Sequence, residues 1–337
     1  MTKLWNPSRR DFVQGAAATA AFSALPASSA LAAKFPSQNL SVMVATREGG
    51  GADRNLRLFW GVWKKYLKTQ MEPAFYPGAA GRVGYVKYMG LAKPDCYTHL
   101  FGNMGPEVLN WVVKPPTTFK FPGDYKYWLR VDSDPSCIFV DIKSKFKTID
   151  DLIAEGKKRT LKVAASRIAH PAVVGMLALA KKTGAKVNII PLSGGKNTRA
   201  GVKSGEMDCG ALPTGGIARK KKAFRILCLF DDSNKIPEQT RNAPTVNAQF
   251  GMKLPPLVSA RAFALKTEAI NKYPDRFKVL QETAKQVFTD PDFKKAVIKA
   301  KAPWPFIHYG GPEECEAYVK NIIAVGNEFK GLLSGKN

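Results

Sequence analysis

Histidine and acidic residues are scarce in this sequence of 337 residues. It contains 3 histidines and 27 Asp plus Glu residues against 52 Lys plus Arg residues, which gives a formal net charge of +25 at pH 7. The histidines, His99, His170 and His308, show no metal-type spacing with one another or with cysteines. The sequence therefore predicts no metal site.

Cysteines are few and widely separated, and no CxxC pair occurs among the five. An oxidising compartment permits disulfides, but an odd number leaves at least one thiol unpaired within a monomer. Cys209 and Cys228 lie in apolar, strand-like runs, where we expect buried free thiols. The pairing of the other three stays open.

Motifs of catalysis are missing as well. The sequence has no GxSxG, no HExxH and no cysteine in a motif with histidine, so it offers no recognisable nucleophile with a base. The glycine loops at Gly49–Gly51 and Gly194–Gly195 lack the dinucleotide and P-loop fingerprints. The sequence therefore predicts neither an enzyme nor a cofactor.

The only long, mildly apolar run lies near the amino terminus, at residues 15–33, behind the pair Arg9-Arg10. Serines and Pro26 dilute the run, which argues against a membrane anchor of about 18 or more apolar residues. Ala30-Leu31-Ala32 has the small-x-small pattern of a cleavage site. We expect residues 1–33 to be a cleaved twin-Arg signal peptide, and the mature protein to be periplasmic.

The excess of basic residues points to an anionic partner. Removing residues 1–33 takes away three basic residues and one acidic residue, which leaves +23 on the mature chain. Such a field attracts anions broadly. Nucleic acid is not expected, because an exported protein rarely meets it and no nucleic-acid-binding motif occurs. An anionic small molecule or membrane surface fits better, and the run Arg219–Lys222 is interpreted as a solvated face.

Short β-rich runs alternate with longer amphipathic runs, which predicts a parallel α/β fold. About 300 mature residues suggest two domains. The strand Leu40–Ala45 is followed by the glycine loop and by a helix from about Asp53, whose apolar stripe is expected in the core. No element is predicted between Gly102 and Ile138, and a single strand is predicted over Val258–Leu265.

Six short segments follow one another in an order and at spacings that resemble those of one family. They are Val44–Asp53 (VATREGGGAD), Tyr76–Gly84 (YPGAAGRVG), Pro94–Thr98 (PDCYT), Ile190–Gly195 (IPLSGG), Ser204–Asp208 (SGEMD) and Ala243–Val246 (APTV). Each is weak alone. Together they resemble the Bug (TctC-like) receptors of tripartite tricarboxylate transporters.

The resemblance implies a type II periplasmic-binding-protein fold, with two α/β domains and a ligand cleft between them. It places domain 1 at residues 34–134 plus 256–337 and domain 2 at residues 135–255. It also implies a monomeric receptor that captures a small carboxylate (di-, tri- or aromatic) and delivers it to membrane subunits of such a transporter. A receptor or sensor for another anion, such as phosphate or sulfate, and a periplasmic binding protein without a transport role both stay open.

A glycine-rich turn that leads into a helix leaves backbone N–H groups free for a carboxylate. The loops at Gly49–Gly51 and Gly78–Gly81 have this composition, and a third segment, Ala164–His170, occupies the place of the family's ligand-facing ASxGxxT. The expected binding residues are Arg47, Gly50, Gly51, Ala52, Asp53, Gly78, Ala79, Ala80, Asn103, Ser166, Arg167, His170 and Asp208.

Several of these residues have a second interpretation. Asp53 also suits the first turn of its own helix, and His170, before Pro171, suits a helix cap. Arg167 stands where the family has a small residue, and its guanidinium is expected either to reach a distal carboxylate or to lie on the surface. Arg47 replaces a family proline inside the first loop.

The first prediction concerns export. Changing both Arg9 and Arg10 to lysine should leave uncleaved precursor in the cytoplasm, because the twin-Arg pathway reads the arginine pair. Cell fractionation and immunoblotting measure the ratio of precursor to mature protein. An unchanged periplasmic yield would contradict a twin-Arg signal.

Overall fold

The computed structural model describes residues 35–334. The predicted signal peptide and its cleavage site lie outside the described residues. Eleven strands in this part of the chain are β1 (Leu40–Val44), β2 (Met71–Phe75), β3 (Thr98–Asn103), β4 (Tyr125–Arg130), β5 (Asp134–Asp141), β6 (Leu161–Ala165), β7 (Val187–Pro191), β8 (Cys209–Pro213), β9 (Phe224–Phe230), β10 (Val258–Ser259) and β11 (Arg261–Lys266).

Helices connect most of these strands. The α-helices are α1 (Gly51–Leu67), α2 (Arg82–Leu91), α3 (Met104–Val113), α4 (Ile149–Lys158), α5 (Pro171–Thr183), α6 (Gly195–Lys203), α7 (Thr214–Ala218), α8 (Pro237–Thr240), α9 (Val246–Phe250), α10 (Thr267–Lys272), α11 (Pro274–Val287), α12 (Pro291–Lys299), α13 (Pro312–Glu328) and α14 (Lys330–Leu333). Within residues 35–334, two short 3₁₀ turns occur at Ala79–Gly81 and Trp304–Phe306.

The strands form two sheets, each at the centre of an α/β layer structure. The first sheet has the order β2-β1-β3-β11-β4, and the second has the order β10-β5-β8-β6-β7 with β9 also paired to β5. Helices α11 and α12 pack on α1, and α13 packs on α3, so the carboxyl-terminal helices cover the first sheet. The two-domain α/β architecture predicted from the sequence is confirmed.

Both sheets are mixed, so the parallel arrangement expected from the alternation of strands and helices holds for only part of each sheet. β1 is parallel to β2 and β3, whereas β11 is antiparallel to β3 and β4. In the second sheet β6 is parallel to β7 and β8, whereas β5 is antiparallel to β8 and β9. The antiparallel pairs arise where the chain passes between the sheets, because β5 and β11 each enter a sheet after such a crossing.

The chain crosses to the second sheet between β4 and β5 and returns at Ala260, between β10 and β11. The single strand predicted over Val258–Leu265 is therefore wrong. Ser259 pairs with Asp134 in the second sheet, and Arg261 pairs with Asn103 in the first. A continuous run of β-forming residues does not reveal a change of sheet. The predicted domain limits themselves, 134/135 and 255/256, stay a prediction.

Two elements, α3 and β4, lie in the region where the sequence predicts none. Gly105 and Pro106 resemble a turn, yet both fall in the first turn of α3, where proline is tolerated because the first N–H groups have no intrahelical acceptor. A Cβ at Gly105 would lie 2.5 Å from Tyr318 Oη, so the close approach of α13 requires glycine here.

The predicted apolar stripe of α1 is buried, as expected. Leu56, Phe59 and Trp63 are fully buried, and Trp63 Nε1 donates to Thr283 Oγ1 on α11 at 3.0 Å. Burial of a large apolar side chain stabilises the folded state by about 1.5–3 kcal/mol. The buried stripe therefore holds α1, including its first turn, in place. Cys209 and Cys228 are buried free thiols, as predicted.

No helix within residues 35–334 is both long and apolar enough to cross a bilayer.

The second prediction compares two glycines in helix interiors. A Cβ at Gly175 in α5 would lie 2.6 Å from Phe230 Cδ1 in the core, whereas a Cβ at Gly61 in α1 meets no atom within 4 Å. Gly175→Ala should therefore destabilise the protein by about 1–3 kcal/mol through overpacking. Gly61→Ala should stabilise it by about 0.5–1 kcal/mol, because alanine loses less backbone entropy.

Urea unfolding monitored by circular dichroism measures both free energies. Equal stability of the two variants would contradict the packing of α5 against β9.

Candidate functional site

A buried ion cluster joins the two crossing segments of the chain. Arg261 Nη1 donates to Asp132 Oδ2 at 2.7 Å and to Asp134 Oδ2 at 3.2 Å. The backbone N–H of Arg261 donates to Asp132 Oδ1 at 2.7 Å. Asp134 Oδ1 accepts the N–H of Gly215 in α7 at 2.8 Å. This set, Arg261 with Asp132 and Asp134, is the crossing cluster, and it connects both segments to the start of α7.

Burial dominates the electrostatics of the crossing cluster. Burial raises the pKa of Asp132 to about 6 and also raises the pKa of Asp134, while Arg261 acts against both shifts. Burial acts to lower the pKa of Arg261, but the two aspartates more than offset it and the pKa is raised. The guanidinium therefore stays charged and compensated by two carboxylates.

The loop after β1 presents backbone N–H groups at the start of α1. Gly49 has a φ of 71°, and its N–H donates to Asp53 Oδ2 at 2.8 Å. The other oxygen of Asp53 accepts from Arg57 Nε at 2.7 Å. Both oxygens of the buried Asp53 carboxylate therefore accept hydrogen bonds from its own loop and helix. The first three N–H groups of α1 have no acceptor among the described residues, and the helix dipole makes the position favourable for an anion.

The loop after β2 holds four consecutive residues in the left-handed region. The φ angles are 132° at Gly78, 42° at Ala79, 57° at Ala80 and 106° at Gly81. Such values cost about 1–3 kcal/mol at a residue other than glycine, and strained backbone of this kind clusters at binding sites. Ala80 O accepts from Asn110 Nδ2 at 3.0 Å and also from Arg167 Nη1. The strained loop is therefore held by both sheets.

Arg167 reaches across the cleft from the loop after β6. Besides Ala80 O, its Nη1 contacts Glu107 Oε1 in α3 at 3.2 Å. The guanidinium thus already has two protein partners in the first sheet's domain. In this arrangement Arg167 bridges the two domains through Nη1, and contact with a distal carboxylate of a ligand stays a prediction.

Glu107 is a site residue that the sequence analysis missed. Its side chain is 1% exposed, and Oε2 has no hydrogen-bond partner within the described part of the chain. Burial raises its pKa to about 7, with Arg167 acting in the opposite direction. A Cβ at Gly81 would collide with Glu107 Oε1, so glycine is required there. No sequence motif pointed to Glu107, because it lies in α3, a helix that the sequence pattern did not predict.

His170 and Ser166 border the cleft from the second sheet. His170 is the N-cap of α5: its Nδ1 accepts the N–H of Ala172 at 3.0 Å, and its Nε2 lies 3.4 Å from Ser259 Oγ. Burial lowers the pKa of His170 to about 3, so the ring is neutral and serves as a cap. Ser166 is half-buried, and its carbonyl accepts the N–H of Gly194 at 3.1 Å.

Three arginines that the sequence analysis did not select also border the cleft. Arg54 Nη2 lies 3.8 Å from the position of a Cβ on Gly51. Arg199 Nη1 lies 3.2 Å from where a Cβ would be on Gly195 and 3.8 Å from where a Cβ would be on Gly216. Arg219 ends α7. Arg54, Arg199 and Arg219 are called the cleft arginines below.

The charges of the cleft arginines act on one another, while Asp53 acts in the opposite direction on Arg54 and Asp134 on Arg219. None of them forms an ion pair within residues 35–334. Burial lowers the pKa of Arg54, and the charges of Arg219, Arg261 and Arg199 lower it further. Burial and then Arg219 likewise lower the pKa of Arg199. Their positions in the sequence span 165 residues and share no motif, which explains why the pattern of residues does not reveal them.

The remaining expected residues lie in different places. Asn103 ends β3 beside Arg261 and is half-buried, whereas Arg47 is exposed in the first loop. Asp208 is not brought to the cleft. It precedes β8 and is paired with Arg159, at 2.6 Å, at the opposite end of the strand from Gly215. The site loops follow the carboxyl ends of the parallel strands, so the start of β8 faces away from them.

The structure therefore brings most of the expected residues to one edge between the sheets. They are Gly50, Gly51, Ala52, Gly78, Ala79, Ala80, Asn103, Ser166 and Arg167. Within residues 35–334 no group of three His, Cys, Asp or Glu side chains is arranged to hold a metal ion.

The third prediction concerns the buried carboxyl group of Glu107. Its folded pKa, about 7, lies above the ordinary value of 4.5, so the folded protein binds more protons than the unfolded chain between these values. The contribution of Glu107 to the free energy of unfolding is full below pH 4.5 and is lost as the pH rises through 7. Glu107→Gln cannot titrate, yet its Oε1 still accepts from Arg167.

The free energy of unfolding of the wild type minus that of Glu107→Gln should therefore fall by up to about 3 kcal/mol between pH 4.5 and 7.5. Urea unfolding of both proteins across this range measures the difference, in which the other titrating groups cancel. Parallel curves would contradict the raised pKa of Glu107.

No family model and no curated protein matches the chain. Solved structures do match it. A TctC solute binding protein from Polaromonas, with no ligand, has a TM-score of 0.67 at 18% identity, covering 90% of this chain and 100% of that chain. An R. palustris protein with adipate has a TM-score of 0.75 at 15% identity, covering 90% and 99%.

MatC from Rhodopseudomonas palustris with bound malate has a TM-score of 0.72 at 16% identity, covering 88% of this chain and 100% of MatC. At these identities the likeness concerns the fold. The chain has the two-domain α/β fold of TctC-type solute-binding proteins, as its sequence motifs predict.

Proposed function

We propose that this protein is an exported periplasmic receptor that captures a small carboxylate in the cleft between its domains and delivers it to a membrane-embedded tripartite tricarboxylate transporter. The observation that carries the proposal is the first turn of α1, whose three leading N–H groups have no acceptor among the described residues and which has Arg54 and Arg261 beside Gly51. Carboxylates are the anions that guanidinium forks and helix amino termini bind well.

The fold and the amino terminus support the proposal. The structural relatives with malate and adipate place the same fold around small dicarboxylates. The twin-Arg pattern of residues 1–33 supports export, and the six motifs resembling the Bug family support the link to a tripartite transporter. The mature charge of +23 attracts anionic ligands to the protein over a longer range.

The titratable side chains favour binding over catalysis. His99 and His170 are buried, and burial lowers both pKa values to about 3, so neither is suited to exchange protons near neutral pH. Burial raises the pKa of Cys96 to about 12, and it also raises the pKa values of the other four cysteines. A reactive thiol needs the opposite shift. We therefore propose a binding protein that is not an enzyme.

The fourth prediction tests carboxylate recognition by calorimetry. Malate and adipate should each bind at least about tenfold more tightly than the corresponding diamide, because a charge-assisted hydrogen bond contributes about 1.5–3 kcal/mol and 1.4 kcal/mol is a factor of ten. The amides match the acids in shape and lack the charge. Inorganic sulfate and phosphate serve as competing anions in the same titration.

Equal affinity for acid and amide would contradict a carboxylate site. Tighter binding of sulfate or phosphate than of either acid would replace it with a receptor for an inorganic anion.

A further inference from the structure

A buried carboxyl group lies directly behind the strained loop Gly78–Gly81. Glu107, in the first turn of α3, is 1% exposed, and a Cβ on Gly81 would lie 3.2 Å from its Cδ. The other side of the loop, at Gly78, Ala79 and Ala80, is exposed. An anion bound on the exposed side is therefore separated from the Glu107 carboxyl group by little more than the loop backbone.

The hydrogen bonds of this carboxyl group are incomplete. Arg167 Nη1 contacts Glu107 Oε1 at 3.2 Å, and Oε2 has no hydrogen-bond partner within residues 35–334. Asp132, which is also buried, is bonded through both oxygens, since Oδ1 accepts from the N–H of Arg261 and Oδ2 from its Nη1. A buried carboxylate is unfavourable unless its oxygens have partners. The ionised form of Glu107 is therefore more sensitive than that of Asp132 to a charge brought into the cleft.

Arg167 is the charged group that faces Glu107 among the described residues, and it lowers the pKa of Glu107. Lys330 on α14 is exposed, and Arg82, next to Gly81, is directed away to Lys114 O at 2.6 Å. The other titratable side chains on the surrounding elements are buried, and burial shifts their pKa values so that they are neutral. They are Tyr85 on α2, His99 on β3, Tyr125 and Tyr127 on β4, His170 on α5 and Tyr318 on α13.

Binding of an anion changes this balance in one direction. A carboxylate at the Gly78–Gly81 loop is a like charge close to Glu107, which favours the protonated form of Glu107. A ligand that draws on the guanidinium of Arg167 has the same effect, because it weakens the counter-charge. Since the coupling between two binding sites is reciprocal, a proton on Glu107 increases the affinity for the anion by the same factor.

Resting on the proposed function, we infer that Glu107 is a positioning residue of the binding site, which holds Arg167 across the cleft and takes up a proton when a carboxylate binds. Glu107 acts through Arg167 and the backbone of Gly81, without touching the ligand. Capture of the anion is thereby coupled to the proton concentration of the compartment.

The fifth prediction is the dependence of the affinity on pH. In the ligand-free protein the pKa of Glu107 is about 7, and a bound anion raises it further. Below pH 7 Glu107 is protonated in both states and the affinity is constant, whereas above pH 7 binding requires proton uptake, so the affinity falls as the pH rises. Calorimetry should show adipate binding at least about threefold more weakly at pH 8.5 than at pH 6.5. The carboxyl groups of adipate itself are ionised throughout this range.

Calorimetry at pH 7.5 in two buffers of different ionisation enthalpy counts the protons directly. The wild type should take up on the order of half a proton per adipate bound. Glu107→Gln should take up none, and its affinity should be the same at pH 6.5 and 8.5. Glu282→Gln is the matched control, because it removes an exposed carboxyl group on α11, and it should behave as the wild type does. A merely structural role of Glu107 would instead change the affinity equally at every pH.

Binding of adipate by the wild type without proton uptake, or with proton release, would overturn the inference. This measurement needs no variant, so it decides even if Glu107→Gln is unstable. Uptake that persists in Glu107→Gln would assign the proton to another group, such as Asp132, whose pKa burial raises to about 6, and would also overturn it. In these cases the proposed carboxylate receptor still stands. Failure of the wild type to bind any carboxylate in the fourth experiment would overturn the proposed function and this inference with it.

Discussion

The ion cluster of Arg261, Asp132 and Asp134 is the interaction on which the arrangement of the two domains depends. It lies where the chain crosses between the sheets, and through Gly215 it also holds the start of α7. A buried ion pair contributes little net stability, because desolvation offsets most of its Coulomb energy. Its effect is positional: removing one partner leaves an uncompensated buried charge, so the crossing segments are held in one geometry. The positions of the loops that border the cleft depend on how these crossing segments are held.

Two layers of contact are built on this cluster, and they act in opposite directions. Arg167 and Glu107 join the domains directly, through the strained loop at Ala80. The cleft arginines, Arg54, Arg199 and Arg219, carry like charges, which is unfavourable unless an anion lies near them. The structure therefore combines a protein contact that needs no ligand with like charges that an anion would stabilise.

The sequence predicts those features that are encoded locally. The glycine loops, the apolar stripe of α1 and the buried thiols of Cys209 and Cys228 each depend on neighbouring residues or on a short period, and the structure shows them where expected. The two-domain fold was expected from the chain length and from the resemblance that the six motifs carry. Features that depend on distant residues were not predictable: the split of the strand at Ala260 depends on pairing partners more than 100 residues away, and the cleft arginines become neighbours only through the fold. Asp208 shows the converse, since its motif matches but its strand end faces away from the cleft.

The basic composition of the chain has two different physical consequences. Exposed basic side chains, such as those of Lys220, Lys221 and Lys222, act through an electrostatic field. Salt screens this field over a Debye length of about 8 Å. That field raises the rate at which any anion arrives but does not distinguish one anion from another. Arg199 and Arg219 are half-buried, so their interaction with a bound anion depends on where its charges lie. Attraction at long range and contact at short range therefore depend on different basic residues, and only the second requires the fold to bring distant parts of the chain together.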